Sequence, residues 1–215
     1  TPTTLSRLGG DLLFGRRLGF SGTPSTLLPE ELGECHFAQG DDAQMLHFLT
    51  APAVVRPQPL PDSWSVDTVL RTVSRWTPPL HALIDTGALV TGLSNLQVAA
   101  ALLGYGLPHV AGCVYLDHDD RKMILLREGA VVMKLEQCGL DRAQRFSFFD
   151  QVHTTGMDVP QPLGARAALT LGKDMSFRDF AQGAFRMRGI GRGQSIELLI
   201  APEVQRLIDN TMAEA

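Results

Sequence analysis

Between Leu80 and Ile200, short apolar runs alternate with helical segments opened by capping residues. That alternation restricts the fold more than any single motif does. Leu80 to Asp85 reads as a short strand. Ser94-Asn95-Leu96-Gln97 fits a capping box, in which serine and glutamine reciprocally satisfy first-turn amides, and it opens a helix through Leu103. Gly104 and Gly106 stop that helix. Val110 to Leu116 predicts a strand ending at Asp117, and Lys122 to Arg127 and Ala130 to Leu135 predict further extended segments. Arg145 to Val152 is expected as a strand with Phe146 and Phe148 on one face, and Ala167 to Leu171 as another short apolar strand. Ser176 is placed to cap a helix over Phe177 to Met187, with Phe177, Phe180, Ala181 and Ala184 as its buried stripe. Ser195 to Ile200 is the last predicted strand. The pattern predicts an α/β domain with a mostly parallel sheet flanked by helices. In such sheets functional loops gather at the carboxyl ends of strands. Asp85-Thr86-Gly87, Asp117-His118-Asp119-Asp120 and His153-Thr154-Thr155-Gly156 all fall at predicted strand ends.

Upstream the organisation changes. Residues 1–50 read as an irregular segment or the tail end of a preceding lobe, with the turn Ser21-Gly22-Thr23-Pro24. Pro52, Pro57, Pro59 and Pro61 mark an extended stretch or linker. Val66, Val69, Leu70 and Val73 recur at helical spacing, with Ser63 or Ser65 as cap and Pro78-Pro79 as terminator. The expected division is therefore 1–50, a linker and helix over 51–79, and an α/β domain over 80–215.

Composition removes several classes of function. Of the 215 residues, 44% are hydrophobic and 20% charged, which is the balance of a globular protein. No apolar run is long enough to span a bilayer, so no membrane association is expected. The first residues lack the basic start and apolar core of a signal peptide, and the absence of an initial methionine reads as a fragment or a processed product. Cys35, Cys113 and Cys138 are too scattered for a disulfide framework or a zinc site, which points to reduced thiols inside the cell, cytoplasmic or nuclear. A net charge of −4 argues against nucleic-acid binding by the chain as a whole. The charge is uneven, however. Arg166, Lys173, Arg178, Arg186, Arg188 and Arg192 face only Asp174 and Asp179 in the same stretch, so a local basic patch is expected there.

Within that stretch, Gln182, Arg186 and Arg188 lie along one predicted helix that runs into Gly189-Ile190-Gly191-Arg192-Gly193. A guanidinium fork bonds phosphate oxygens bidentately, and arginines beside a glycine-rich turn suit that task. Gln182 lies one turn before Arg186 and shares its face, where it bonds a nucleotide, fixes the arginine, or faces solvent. Gly156 permits a tight turn, and Asp158 is placed to hold an arginine or cap the turn.

The order of these motifs resembles the superfamily-two helicases and translocases. Ser21-Gly22-Thr23-Pro24 resembles the motif closing their first motor lobe. Leu83-Ile84-Asp85-Thr86-Gly87 and its capped helix resemble the first strand and helix of the second, C-terminal lobe. Thr154-Thr155-Gly156-Met157-Asp158-Val159 resembles that lobe's threonine and Gly-x-Asp turn, and Gln182-x-x-x-Arg186 resembles its last motif. The likeness covers roughly Leu80 to Gln194, plus the piece around Ser21. Phrases such as Phe149-Asp150-Gln151-x-His153-Thr154-Thr155-Gly156 are also similar to a block in very large, poorly characterised eukaryotic proteins, some labelled ubiquitin hydrolases.

The resemblance implies a helicase C-terminal-lobe-like fold and a fragment of an NTP-dependent motor. Arg186 and Arg188 would be catalytic, and Gln182, Gly156, Asp158 and Arg192 nucleotide-binding. Thr86, Thr154 and Thr155 would contact nucleic acid. The partners would be a preceding motor lobe of the same protein and nucleic acid. The pattern departs from the family in two places. No Gly-x-x-x-x-Gly-Lys-[Ser/Thr] is present, so ATP and Mg are expected only with a partner lobe, none in this fragment, and no metal site of its own is expected. The second arginine of the last motif should stand where Gly189 is, with Arg188 one residue short of that place and Arg192 three beyond it. Which of the two reaches phosphate is open.

Two other readings stand beside the motor. One is a cysteine-type ubiquitin hydrolase, which would need Cys138 or Cys113 beside His153 and Asp150. The other is a degenerate lobe acting as a protein-interaction scaffold. Asp117, Asp119 and Asp120 read as a solvated acidic loop rather than a cation site.

Overall fold

The apolar runs lie side by side as parallel strands because most are buried on both faces. A sheet covered on both sides needs continuous apolar sequence rather than alternation. A computed structural model describes residues 41–154 and 158–214, in two compact units, Thr1–Ala51 and Pro52–Ala215. The motifs at Ser21-Gly22-Thr23-Pro24 and at Thr155 and Gly156 lie outside the described residues. Of the first unit, helix α1 (Asp41–Thr50) is described. It buries Met45 and Leu49, and the Thr50 hydroxyl donates to the Leu46 carbonyl at 2.6 Å.

The second unit runs β1 (Val55–Pro59), α2 (Val66–Ser74), β2 (Ala82–Ile84), α3 (Asn95–Tyr105), β3 (Gly112–Leu116), β4 (Lys122–Leu126), β5 (Val132–Lys134), β6 (Arg145–Phe149), β7 (Arg166–Leu171), α4 (Phe177–Ala184), β8 (Ser195–Ile200) and α5 (Pro202–Glu214). The eight strands form one sheet in the order β1-β8-β7-β2-β6-β3-β4-β5. All neighbours are parallel from β1 to β3, and β4 and β5 add an antiparallel edge. The chain is thus α/β with a mostly parallel sheet, and β2 sits at its centre.

Helices α2 and α3 cover one face. Val69, Leu70 and Val73 of α2 and Val98, Ala99 and Leu102 of α3 close over Leu83, Cys113, Tyr115, Phe146 and Phe148. Both helices start where their sequences predict, at reciprocal boxes of Ser65 with Thr68 and of Ser94 with Gln97. The end of α3 is tied down by Arg127, whose guanidinium donates to the carbonyls of Leu103 at 2.7 Å, Gly106 at 2.9 Å and Leu107 at 2.8 Å. Those orphan carbonyls are satisfied by a cation, which also suits the negative end of the helix dipole.

The sequence left the proline-rich stretch as extended or a linker, and it is extended: it forms strand β1, which pairs with β8 at one edge of the sheet among the described residues. The Leu60 amide reaches the Ile200 carbonyl at 2.8 Å, so even-numbered amides face β8. Pro57 and Pro59, which have no N–H to give, therefore fall on the free edge. The strand expected to reach Val152 ends at Phe149 and turns into a short 3-10 segment, Gln151–Thr154. Helix α4 stops at Ala184 rather than Met187, because its last turn tightens: Arg186 N–H bonds the Gly183 carbonyl at 3.0 Å and Met187 N–H the Ala184 carbonyl at 2.9 Å.

A charged side chain on β8 is buried in the sheet. Glu197 on β8 is 1% exposed. It accepts from Arg56 Nη1 at 3.1 Å, from Gln58 Nε2 at 3.0 Å and from Arg166 Nη2. Burial pushes its carboxyl up, but the hydrogen bonds from Arg166, Gln58 and Arg56 outweigh it and hold the folded value below the ordinary 4.5. Its contribution to stability is therefore present above that ordinary value and is lost as pH falls through the folded one. Glu197→Gln keeps the shape but leaves two guanidinium groups without a counter-charge, so we expect a loss of about 3 kcal/mol at pH 7. Chemical denaturation at pH 7 and pH 3 should show the variant's deficit shrinking on the acid side.

Candidate functional site

The carboxyl ends of β2 and β7 are joined by a buried carboxylate. Asp85, 2% exposed, accepts from the amides of Leu89 and Val90, both at 2.9 Å, and from the Thr170 hydroxyl at 2.7 Å. The Thr170 oxygen in turn accepts from the Gly87 amide at 2.9 Å. Burial raises the Asp85 pKa, and the hydrogen bonds from Thr170, Val90 and Leu89 oppose that rise. The chain can turn here because Gly87 and Gly172 touch backbone to backbone. A Cβ on Gly87 would stand 2.6 Å from the Gly172 nitrogen, and one on Gly172 would stand 2.9 Å from the Gly87 oxygen.

This junction floors a cleft of about 460 Å³ at the carboxyl edge of the sheet. Thr86 lines it from the end of β2, Gln151 and Thr154 from the turn after β6, Lys173 and Asp174 from the turn after β7, and Asp179 and Gln182 from α4. Thr86, Thr154 and Gln182 were each singled out from sequence, and they stand around one cleft although nearly a hundred residues separate the first from the last. Asp179 is held by its capping box with Ser176, accepting from that residue's amide at 2.9 Å. Thr86 is 6% exposed, and its hydroxyl oxygen has no hydrogen-bond partner among the described residues. Gly183 lets α4 approach it: a Cβ there would lie 2.2 Å from Thr86 Oγ1.

The arginines lie beyond the cleft lining. Arg186 is 7% exposed, and burial, with the neighbouring Arg188 charge, pulls its pKa down. Arg188 is exposed, and its Nε stands 3.5 Å from Asp158 Oδ1, so Asp158 does hold an arginine. Arg192 is exposed in the glycine-rich turn, where its amide bonds the Gly189 carbonyl at 2.9 Å. That turn has a structural cause. Gln194 folds back into it, accepting from the Gly189 amide at 2.6 Å and donating to the Pro162 carbonyl at 2.7 Å. A Cβ on Gly189 would meet the Gln194 side chain at 2.8 Å, so glycine is needed there for packing, whatever else the turn does.

His153 has a larger part than its sequence position suggested. It is 8% exposed, its Nδ1 meets Asp150 Oδ1, and its Nε2 lies 2.7 Å from Asp120 Oδ1. Both ring nitrogens are thus taken by carboxylates. The Asp150 neighbour was visible in sequence. Asp120, thirty-three residues away, was not. Cys113 is wholly buried in β3, where burial pushes its thiol far up, and Cys138 is half-buried after the turn Leu135–Gln137. Cys35 lies outside the described residues. Among the described residues, Asp117, His118 and Asp119 have ligand atoms within 4.8 Å of one another. Arg121 occupies the two carboxylates, at 2.7 Å from Asp117 and 3.0 Å from Asp119.

Comparison with known families, curated proteins and solved structures finds no match to this chain. Among the described residues, no helix is long and apolar enough to cross a membrane.

The Thr86–Gly183 contact is directly testable. Alanine is the better helix former by about 1 kcal/mol, but overpacking against a fixed side chain costs about 1–3 kcal/mol. Gly183→Ala is therefore expected to lower stability. Adding Thr86→Ala removes the opposing oxygen and should restore much of the loss, as a double-mutant cycle by urea denaturation would measure.

Proposed function

We propose that Pro52–Ala215 is the second motor lobe of a helicase-like NTP-dependent motor, supplying the arginine side of a nucleotide site between two lobes. The observation that carries this reading is the convergence of Thr86, Thr154 and Gln182 on one cleft at the carboxyl edge of a parallel sheet, with Arg186 and Arg188 following on the same segment as Gln182. Thr86 and Thr154, with Thr155, would contact a nucleic-acid strand. Gln182, Asp158, Gly156 and Arg192 would serve the nucleotide. Arg188, held by Asp158, would turn from that carboxylate to a phosphate when one arrives.

The cleft's own charges argue that it does not hold a triphosphate alone. Lys173 is matched there by Asp174 and Asp179, a balance of one positive against two negative charges. ATP and Mg would be cradled by a preceding lobe, and the metal would neutralise developing phosphate charge there. The residues of this lobe would bind, orient and stabilise charge from the other side. An intracellular location, cytoplasmic or nuclear, goes with that role.

A second reading, a degenerate lobe that serves as a protein-binding scaffold, is favoured by one observation. The Arg186 guanidinium is buried rather than presented to a ligand. A cysteine-type ubiquitin hydrolase gains no support from a histidine whose two nitrogens face carboxylates.

Full-length protein and the present chain distinguish these readings. For a motor, the full-length protein hydrolyses ATP, this chain alone does not, and Arg188→Ala lowers the full-length rate by about 10³-fold or more if Arg188 meets the transferring phosphate. Full-length protein that folds but hydrolyses no nucleotide, with or without nucleic acid, would refute the motor and leave the scaffold. Hydrolysis by this chain alone would contradict the assignment of the phosphate cradle to another lobe.

A further inference from the structure

The turn Gln151–Thr154 contributes two residues to the cleft, yet few of its groups are tied to a neighbouring strand. Within the turn, the Thr154 hydroxyl donates to the Gln151 carbonyl at 2.9 Å, and the His153 amide bonds the Asp150 carbonyl at 3.0 Å. The link to another part of the sheet runs through the His153 ring. Its Nδ1 meets Asp150 at the end of β6, and its Nε2 meets Asp120 in the turn between β3 and β4. Two carboxylates accept and do not donate, so serving both requires a hydrogen on each ring nitrogen. The doubly protonated ring is the form this geometry selects.

The β3–β4 turn is built to present Asp120. Asp117 Oδ1 accepts from the amides of Asp119 at 3.0 Å and Arg121 at 2.9 Å, and Asp117 Oδ2 accepts from Arg121 Nε at 2.8 Å. Asp120 itself adopts a φ of 58°, a left-handed conformation that aspartate and asparagine tolerate better than most residues. Its side chain is 73% exposed, whereas that of His153 is 10% exposed. The exposed carboxylate thus reaches inward to a mostly covered ring.

We propose that His153, carrying a hydrogen on both nitrogens, is the positioning residue of the cleft's Gln151–Thr154 lip, and that loss of one of those protons frees the lip from the β3–β4 turn. This regulates the cleft assigned above and rests on that assignment only for its biological consequence. The ionisable groups around the ring are Asp150 and Asp120 in direct contact, Asp85 coupled to Asp150 from the end of β2, and Asp117, Asp119 and Arg121 on the β3–β4 turn. Burial lowers the His153 pKa, but hydrogen bonds to Asp120 and Asp150 and their charges more than reverse this, leaving it above the ordinary 6.5. A histidine raised on folding contributes stability that is complete below its unfolded pKa and is lost as pH rises through the folded one. The lip is therefore ordered at mildly acidic pH and released on the alkaline side.

Amide hydrogen exchange of this chain at pH 6 and pH 8.5, corrected for intrinsic rates, reads the lip directly, with NMR titration of the His153 ring alongside. Protection of the His153 amide, which bonds the Asp150 carbonyl, should fall by at least about fivefold between the two, given that one proton can shift the equilibrium up to tenfold per pH unit. Asp120→Asn retains the left-handed backbone and removes the charge, so it should lower the ring's titration point and flatten the pH dependence. His153→Gln should abolish the dependence. Equal protection in the unsubstituted chain at both pH values would overturn the proposal, and so would an unchanged dependence in either variant. No nucleotide or nucleic acid enters the measurement, so a cleft that binds neither would refute the motor while the positioning role stood.

Discussion

The carboxyl edge of the sheet depends on one buried carboxylate. Asp85 lies buried at the carboxyl end of the central strand β2, and a carboxylate shielded from water costs several kcal/mol unless its lone pairs are used. Two backbone amides and a threonine hydroxyl use them. The two amides fix the loop that leaves β2, and the hydroxyl fixes β7 beside it. The sides of the cleft formed by β2, the turn after β7 and α4 hang on this join. Thr86 follows Asp85 directly, the Gly172 turn crosses Gly87, and α4 approaches over Gly183. The Asp-Thr-Gly sequence thus has a mechanical meaning before any ligand is considered.

A second charged interaction of different character lies at the other end of the sheet. Glu197 is buried like Asp85, but arginines satisfy it where amides satisfy Asp85. The Asp85 carboxyl is raised and the Glu197 carboxyl lowered, because neutral dipoles only partly offset desolvation whereas cations overcome it. One carboxylate is held by dipoles, the other by ions.

Much of this architecture was legible because local chemistry and global fold agree. Serines placed three residues before threonine, glutamine or aspartate open α2, α3 and α4, and the continuous apolar runs become buried strands. Other features were illegible for definite reasons. A proline-rich stretch reads equally as extended or as linker until β8 is known to lie beside it and leave the prolines on the outside. Helix α5 lacks a strong apolar stripe, burying only Val204 among its residues, so no periodicity announced it. Thr86, Thr154 and Gln182, singled out through motif order, line one cleft. The Asp120–His153 bond was not legible, because its partners come from turns on different strands and no spacing rule joins them. The glycine-rich run beside the arginines suggested a phosphate grip, whereas Gln194 accounts for Gly189 by packing alone.

Among the described residues β1 forms one edge of the sheet, and that edge limits how the domain can meet other chains. Along its outer side Pro57 and Pro59 present carbonyls but no amide hydrogens, and Val55 alone among the outward-facing positions of β1 keeps one. An incoming strand would find acceptors for its own amides and almost no donors for its carbonyls. Half of any ladder would be missing, so growth of the sheet in that direction is unfavourable whatever the neighbour's sequence. Association on that side must use side chains, and is therefore specified residue by residue rather than by backbone, which is a form of protection against indiscriminate self-pairing.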